Sequence, residues 1–169
     1  MRGSEGCSQA YPRVMDMDNK FQWLTRGEVS LPGLDYPAVE RWVEDVVSRH
    51  GRICGPLSYI FCDDPTIIDV NRRFLNHDYY TDIITFDDTR GRLIRGDMFI
   101  SLDTVRTNAE AQHVAYGSEL LRVIIHGILH LCGINDKGPG EREIMEAHEN
   151  ASLAMLPPAL SDVAGCETV

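Results

Sequence analysis

A chain of 169 residues, 43% apolar and 25% charged, has the size and composition of one globular domain with room for a sizeable core. Its 16 basic and 26 acidic residues give a net charge of −10, which argues against a generic basic nucleic-acid coat but allows an enzyme with one local basic cleft. No apolar run reaches the ~18 residues a membrane span needs, and no opening basic-then-apolar stretch resembles a signal peptide, so a cytoplasmic protein without membrane partners is expected.

Residues 1–18 are polar and aperiodic and read as a mobile tail. Phe21 to Leu31 reads as a short strand. Pro37 suits a helical first turn, and Val39, Trp42, Val43, Val46 and Val47 follow at 3–4 spacing, so 37–50 is an amphipathic helix stopped by Gly51. Leu57 to Cys62, rich in apolar and aromatic residues, is a strand. Asp64 and Pro65 read as N-cap and first residue of a helix reaching about Leu75. Asn76-His77-Asp78 turns the chain into a strand over Asp82–Phe86, and Arg90-Gly91-Arg92 turns it into another over Asp97–Ser101.

Asp103 reads as the N-cap of a helix to about Val114, broken by Gly117 and Ser118. Residues 119–132 form a strongly apolar helix, expected at the centre of the fold. Pro139-Gly140 is a loop, Glu141 to Met155 a last helix, and Pro157-Pro158 its stop. The expected domain is 19–156, with a C-terminal tail over 157–169. Helices and strands mix without strict alternation, which predicts an α+β fold: a small mixed sheet packed with helices around a central metal-binding helix. The five cysteines are odd in number, scattered and without a C-x-x-C, so buried reduced thiols are the default.

His126 and His130 carry the chemistry. Four residues apart, they share one helical face with Cβ atoms about 5–6 Å apart, close enough to bind one metal ion. Gly133 ends the helix, and Asp136 can swing back as a third ligand. Two nitrogens and one carboxylate, with a position left open, describe a catalytic zinc site. The plainer reading is a pair of hydrogen-bonded core histidines. Gly127, at a cost of about 1 kcal/mol in a helix, is expected to leave space for substrate or another backbone near the metal. It also removes the general base that H-E-x-x-H proteases carry at that position.

His126-Gly127-Ile128-Leu129-His130-Leu131-Cys132-Gly133 resembles the H-G-x-L-H-L-x-G signature of the YbeY endoribonucleases. Thr81 to Phe86 resembles that family's T-D-V-L-S-F strand, Gly96 to Ser101 its G-D-I-x-I-S strand, and Asn71 to Asn76 the helix before them. The resemblance covers about residues 36–155. It implies a small α+β fold and one zinc ion held by three side chains. It also implies a metal-dependent RNase specific for single strands, acting in small-subunit ribosomal RNA 3′-end maturation and ribosome quality control. The partners implied are single-stranded ribosomal RNA, the small ribosomal subunit and its assembly factors.

Two departures stand out. The family ends its signature in G-Y-D-H, where this chain has Gly133-Ile134-Asn135-Asp136, so Asp136 takes the third ligand's place. The Arg the family carries after the aromatic of N-x-x-Y-R falls on Leu75; Arg73 or Arg72 could replace it. The expected site is therefore His126, His130 and Asp136 on the metal, with Asp82 and Arg73 as catalytic residues. His77 is a second candidate base, and Arg92 and Arg95 are further candidate cations. Two other readings stay open: an assembly factor whose zinc is mainly structural, and a zinc hydrolase of another substrate such as a peptide.

Overall fold

A computed structural model describes residues 20–77 and 81–169; the expected N-terminal tail and Asp78 lie outside them. The chain runs β1 (Phe21–Arg26), α1 (Tyr36–Arg49), β2 (Ile53–Cys62), α2 (Asp64–Val70), a π-helical turn (Asn71–Leu75), β3 (Ile83–Asp87) and β4 (Leu93–Ser101). Then come α3 (Leu102–Gln112), α4 (Tyr116–Leu131), α5 (Glu141–Leu153) and α6 (Pro158–Ala164). The four strands form one sheet in the order β1-β2-β4-β3, with β3 the antiparallel member. This is the expected α+β architecture with one small mixed sheet.

One sheet face is covered. Leu57, Tyr59 and Phe61 of β2 and Ile94, Met98 and Ile100 of β4 alternate onto it and pack with α1 and α4 in the main core. Helix α1 contributes Ala38, Val39, Trp42, Val43, Val46 and Val47, the expected apolar face, and Asp35 caps it by accepting from Ala38 N–H at 3.1 Å. The other face carries a smaller cluster of Cys62, Ile67, Val70 and Ile84 beneath α2. No single helix among the described residues is long and apolar enough to cross a membrane.

The structure corrects several expected boundaries. Strand β1 ends at Arg26, not Leu31; beyond it the Glu28 N–H donates to the Asp63 carboxylate instead of a neighbouring strand. Strands β2 and β4 start four residues earlier than expected, because a register irregularity between Cys54 and Leu57 accommodates Gly55 and Pro56. Asp63, not Asp64, caps α2, and Ser101, not Asp103, caps α3. Asp64 and Asp103 instead lace the two helix starts together: Asp64 accepts from the Ser101 and Thr104 hydroxyls, and Asp103 from the Asp64 N–H.

Gly117 does not break the chain. It lies in the first turn of α4, where a Cβ would stand 1.8 Å from the Val163 carbonyl oxygen. That contact belongs to α6, which occupies much of the expected C-terminal tail. Pro158 opens this helix instead of merely ending the previous one, and Leu160 is fully buried in the main core. Cys54, Cys62 and Cys132 are buried free thiols, pushed up by burial to about 12, 12 and 11.

A candidate metal centre at the base of an acidic cleft

Helix α4 presents two faces. Leu120, Leu121, Ile124, Ile125, Ile128 and Leu129 are fully buried in the core. Glu119, Arg122, His126 and His130, spaced three or four apart, form the one polar stripe and line a cleft of about 830 Å³. The helix is fixed against the sheet by the Tyr59 hydroxyl, which donates to the Ile124 carbonyl at 2.8 Å. At Gly127 a Cβ would stand 2.7 Å from Met98 Sδ and 2.9 Å from Ile83 Cδ1. The glycine therefore lets α4 press onto β3 and β4; of the expected occupants, substrate or another backbone, it is the neighbouring sheet that takes the space, through the Met98 and Ile83 side chains.

Gly133, at φ +97°, ends the helix as expected. Its N–H reaches the His130 carbonyl at 2.9 Å, and the Ile134 N–H reaches Leu129 at 3.0 Å, which is the Schellman pattern. The reversal brings Asp136 back over the two histidines. Asp136 Oδ2 lies 3.4 Å from His126 Nε2 and 3.5 Å from His130 Nε2. One ligand atom from each of the three residues falls within 4.8 Å of the others, a group that could hold a metal ion. His126 Nδ1–H donates to Glu149 Oε2 at 2.6 Å, so neutral His126 turns its Nε2 lone pair toward Asp136. Asp136 Oδ1 is buried without a hydrogen-bond partner among the described residues. Lone pairs converging on one point, with an orphaned buried oxygen beside them, fit a cation.

The electrostatics agree. Burial disfavours the charged form of His126, but the Glu149 hydrogen bond and the carboxylates of Glu149, Asp82 and Asp136 outweigh it and raise its pKa. Burial and the neighbouring His126 charge lower that of His130. Burial opposes Glu149's charge, yet its bonds to His126 and Arg122 prevail and hold its pKa down. Arg122 donates to Glu149 Oε1 and to Asn150 Oδ1, each at 2.8 Å. The chain Arg122–Glu149–His126 thus sets the tautomer and aim of one metal-facing ring. No such acceptor faces His130 Nδ1 among the described residues, so only the His126 ring is braced in this way.

Asp82 lines the cleft, and burial raises its pKa; burial and then Asp82 raise that of Glu119, which is only 5% exposed. His77 and Leu75 line the same cleft. The cations expected there do not. Arg73 lies on the exposed π turn, paired with Asp69 at 3.1 Å; Arg92 donates to the Gly51 carbonyl, and Arg95 pairs with Asp88 at 2.7 Å. Among the described residues the cleft's positive groups are Arg122, Lys137 and Arg142, against the carboxylates of Asp82, Asp87, Glu119, Asp136, Glu146 and Glu149. Arg122 and Glu119 were missed although they precede His126 by four and seven residues, a helical spacing. Glu149 had no local signal, since it arrives from another helix.

Residues 33–157 match the family described as Endoribonuclease YbeY. A protein called Endoribonuclease YbeY from Parabacteroides distasonis is 62% identical over 130 residues, covering 77% of this chain and 92% of its own. Another of that name from Phocaeicola vulgatus is 59% identical over 136 residues, covering 80% and 98%. The solution structure of TM1509 from Thermotoga maritima, 23% identical, aligns with a TM-score of 0.58 over 80% of this chain and 88% of that one, a likeness of fold.

Proposed function

The chain belongs to the YbeY endoribonuclease family, and from that premise we propose that it is a zinc-dependent hydrolase of single-stranded RNA. The proposed setting is the cytoplasm, in 3′-end maturation of small-subunit ribosomal RNA and in ribosome quality control, alongside the small subunit and its assembly factors. The single observation that carries the metal dependence is the convergence of His126, His130 and Asp136 on one point inside an open cleft.

His126, His130 and Asp136 would hold the ion. When bound, zinc supplies a Lewis acid for the scissile phosphate and for the attacking water. Glu149, braced by Arg122, keeps the His126 ring aimed. Asp82 is the favoured general base: its burial makes it a better proton acceptor than a solvated carboxylate, and it lines the same cleft. His77 is the second candidate. Arg142 and Lys137, also in the wall, are placed to meet phosphate oxygens. They take over the task first assigned to Arg73. Single strands suit the cleft because unstacked bases and bare backbone can enter it. A mainly structural zinc would call for a fourth protein ligand, and none joins the group of three among the described residues.

The test compares cleavage of a 3′-extended small-subunit RNA fragment by wild type, His130→Ala and Asp136→Ala, with bound zinc counted in each. Wild type should cut, and both variants should lose zinc and cutting together. A wild type that binds zinc and cuts no RNA would overturn the nuclease reading.

A further inference from the structure

We propose that the aromatic side of the second sheet face, from Phe74 to Phe99, is a stacking platform for RNA that extends beyond the cleft. This rests on the RNA-cleaving reading above and adds where the strand lies outside the site. Leu24, Ile60, Phe99 and Ile84 stand in register across all four strands, one row of apolar side chains on one face. Phe86 follows Ile84 on that face two residues on. Its ring meets Phe99 edge-on at 5.9 Å and Phe74, from the π turn, at 5.7 Å. The result is a continuous aromatic band, Phe74–Phe86–Phe99. Ile60 and Ile84 are buried and Phe86 and Phe99 half-buried, so the band opens to solvent chiefly at Phe74, with Leu24 exposed on the far strand. Phe74 is 66% exposed and Leu24 46%.

Charge selects the occupant. The Arg26 guanidinium lies 5.7 Å from the Phe99 ring centroid and has no carboxylate partner among the described residues. Arg73, next to Phe74, is held only by an exposed pair with Asp69, worth little in water. Asp97 stands one row back, in register with Phe86, and Asp63, Asp64 and Asp103 lie near Cys62, the register partner of Arg26, so phosphates are met at Arg26 and Arg73 themselves. Aromatic faces flanked by arginine are how proteins hold single-stranded RNA without reading its sequence.

The platform is also continuous with the cleft. Leu75, next to Phe74, and Ile84, in the apolar row, both line the cleft wall. A strand leaving the metal centre passes Leu75, crosses Phe74 and Phe86, and reaches Phe99. From β3 to β1 is three strand spacings, roughly 14 Å, room for two or three stacked bases.

The experiment measures kcat and KM of zinc-loaded protein on short RNA (about four nucleotides) and long RNA (about twelve), for wild type, Phe74→Ala, Phe74→Trp and Arg26→Gln. The preference for long RNA in kcat/KM should fall about 5–100-fold in Phe74→Ala, the range of one lost base stack. The loss should appear in KM. Phe74→Trp should keep the preference, and Arg26→Gln should weaken it. Equal losses on both lengths, or none on the long RNA, would overturn the platform while leaving the nuclease reading intact. So would a Phe74→Ala protein that keeps the preference but loses self-association on gel filtration, which would assign the band to a second copy of the chain. A wild type that cuts neither length refutes the nuclease reading itself.

Discussion

Glu119 shows how a residue can belong to the site and strain the fold at once. Burial raises its pKa, so the folded state binds that proton more tightly than the unfolded chain. Between the ordinary value near 4.3 and the raised one, folding takes up a proton, and stability falls as pH rises through that window. The whole penalty stands once pH exceeds the raised value. In metal-free protein, Glu119→Gln should therefore melt above wild type at pH 7, by ~2–4 °C for each kcal/mol recovered. The gap should close toward pH 4. Thermal melts across pH 4–8 measure it, and a variant that melts below wild type at pH 7 would show the account wrong. The legible residues, His126, His130 and Asp136, lie close along the chain, where helical spacing and one glycine turn decide what meets. Asp82 was named through the strand it precedes, whereas Glu149 reaches the same point from α5, and only tertiary packing reveals it.

Helices were legible where their apolar period was strong and less so where glycine or proline interrupted it. Gly117 read as a break because glycine disfavours helix interiors; it is kept because α6 crosses there. Its N–H donates to the Cys166 carbonyl at 2.8 Å, and no side chain fits beneath Val163. Gly117→Ala should push α6 off the core, exposing Leu160, at a cost of about 1–3 kcal/mol. Denaturant titration reads the loss, and faster proteolysis after Pro158 would report its location. Wild-type resistance at the C-terminus with unchanged stability would mean that α6 yields at no cost. The π turn had no sequence signal distinct from a helix; Asn71 to Leu75 simply read as more of α2.

Across the whole molecule, the α+β class followed from mixed periodicities, whereas the strand order β1-β2-β4-β3 did not, since pairing partners are chosen by packing between distant segments. Net charge matters at this scale too. A chain at −10, whose cleft carries six carboxylates to three cations among the described residues, repels a polyanion unless something offsets that field. Stripping the metal with a chelator should weaken binding of non-hydrolysable single-stranded RNA at least ~10-fold, about 1.4 kcal/mol. Fluorescence anisotropy would test this; equal affinity with and without the ion would place the binding energy elsewhere.

The placement of all three metal-facing residues between positions 126 and 136 has a thermodynamic consequence. A ligand stabilises a fold only by its preference for the native over the denatured chain. A denatured segment that keeps two histidines and an aspartate so near each other retains some affinity of its own. The melting temperature should therefore climb with added zinc at first and then level off, at the point where the disordered ensemble begins to load as well.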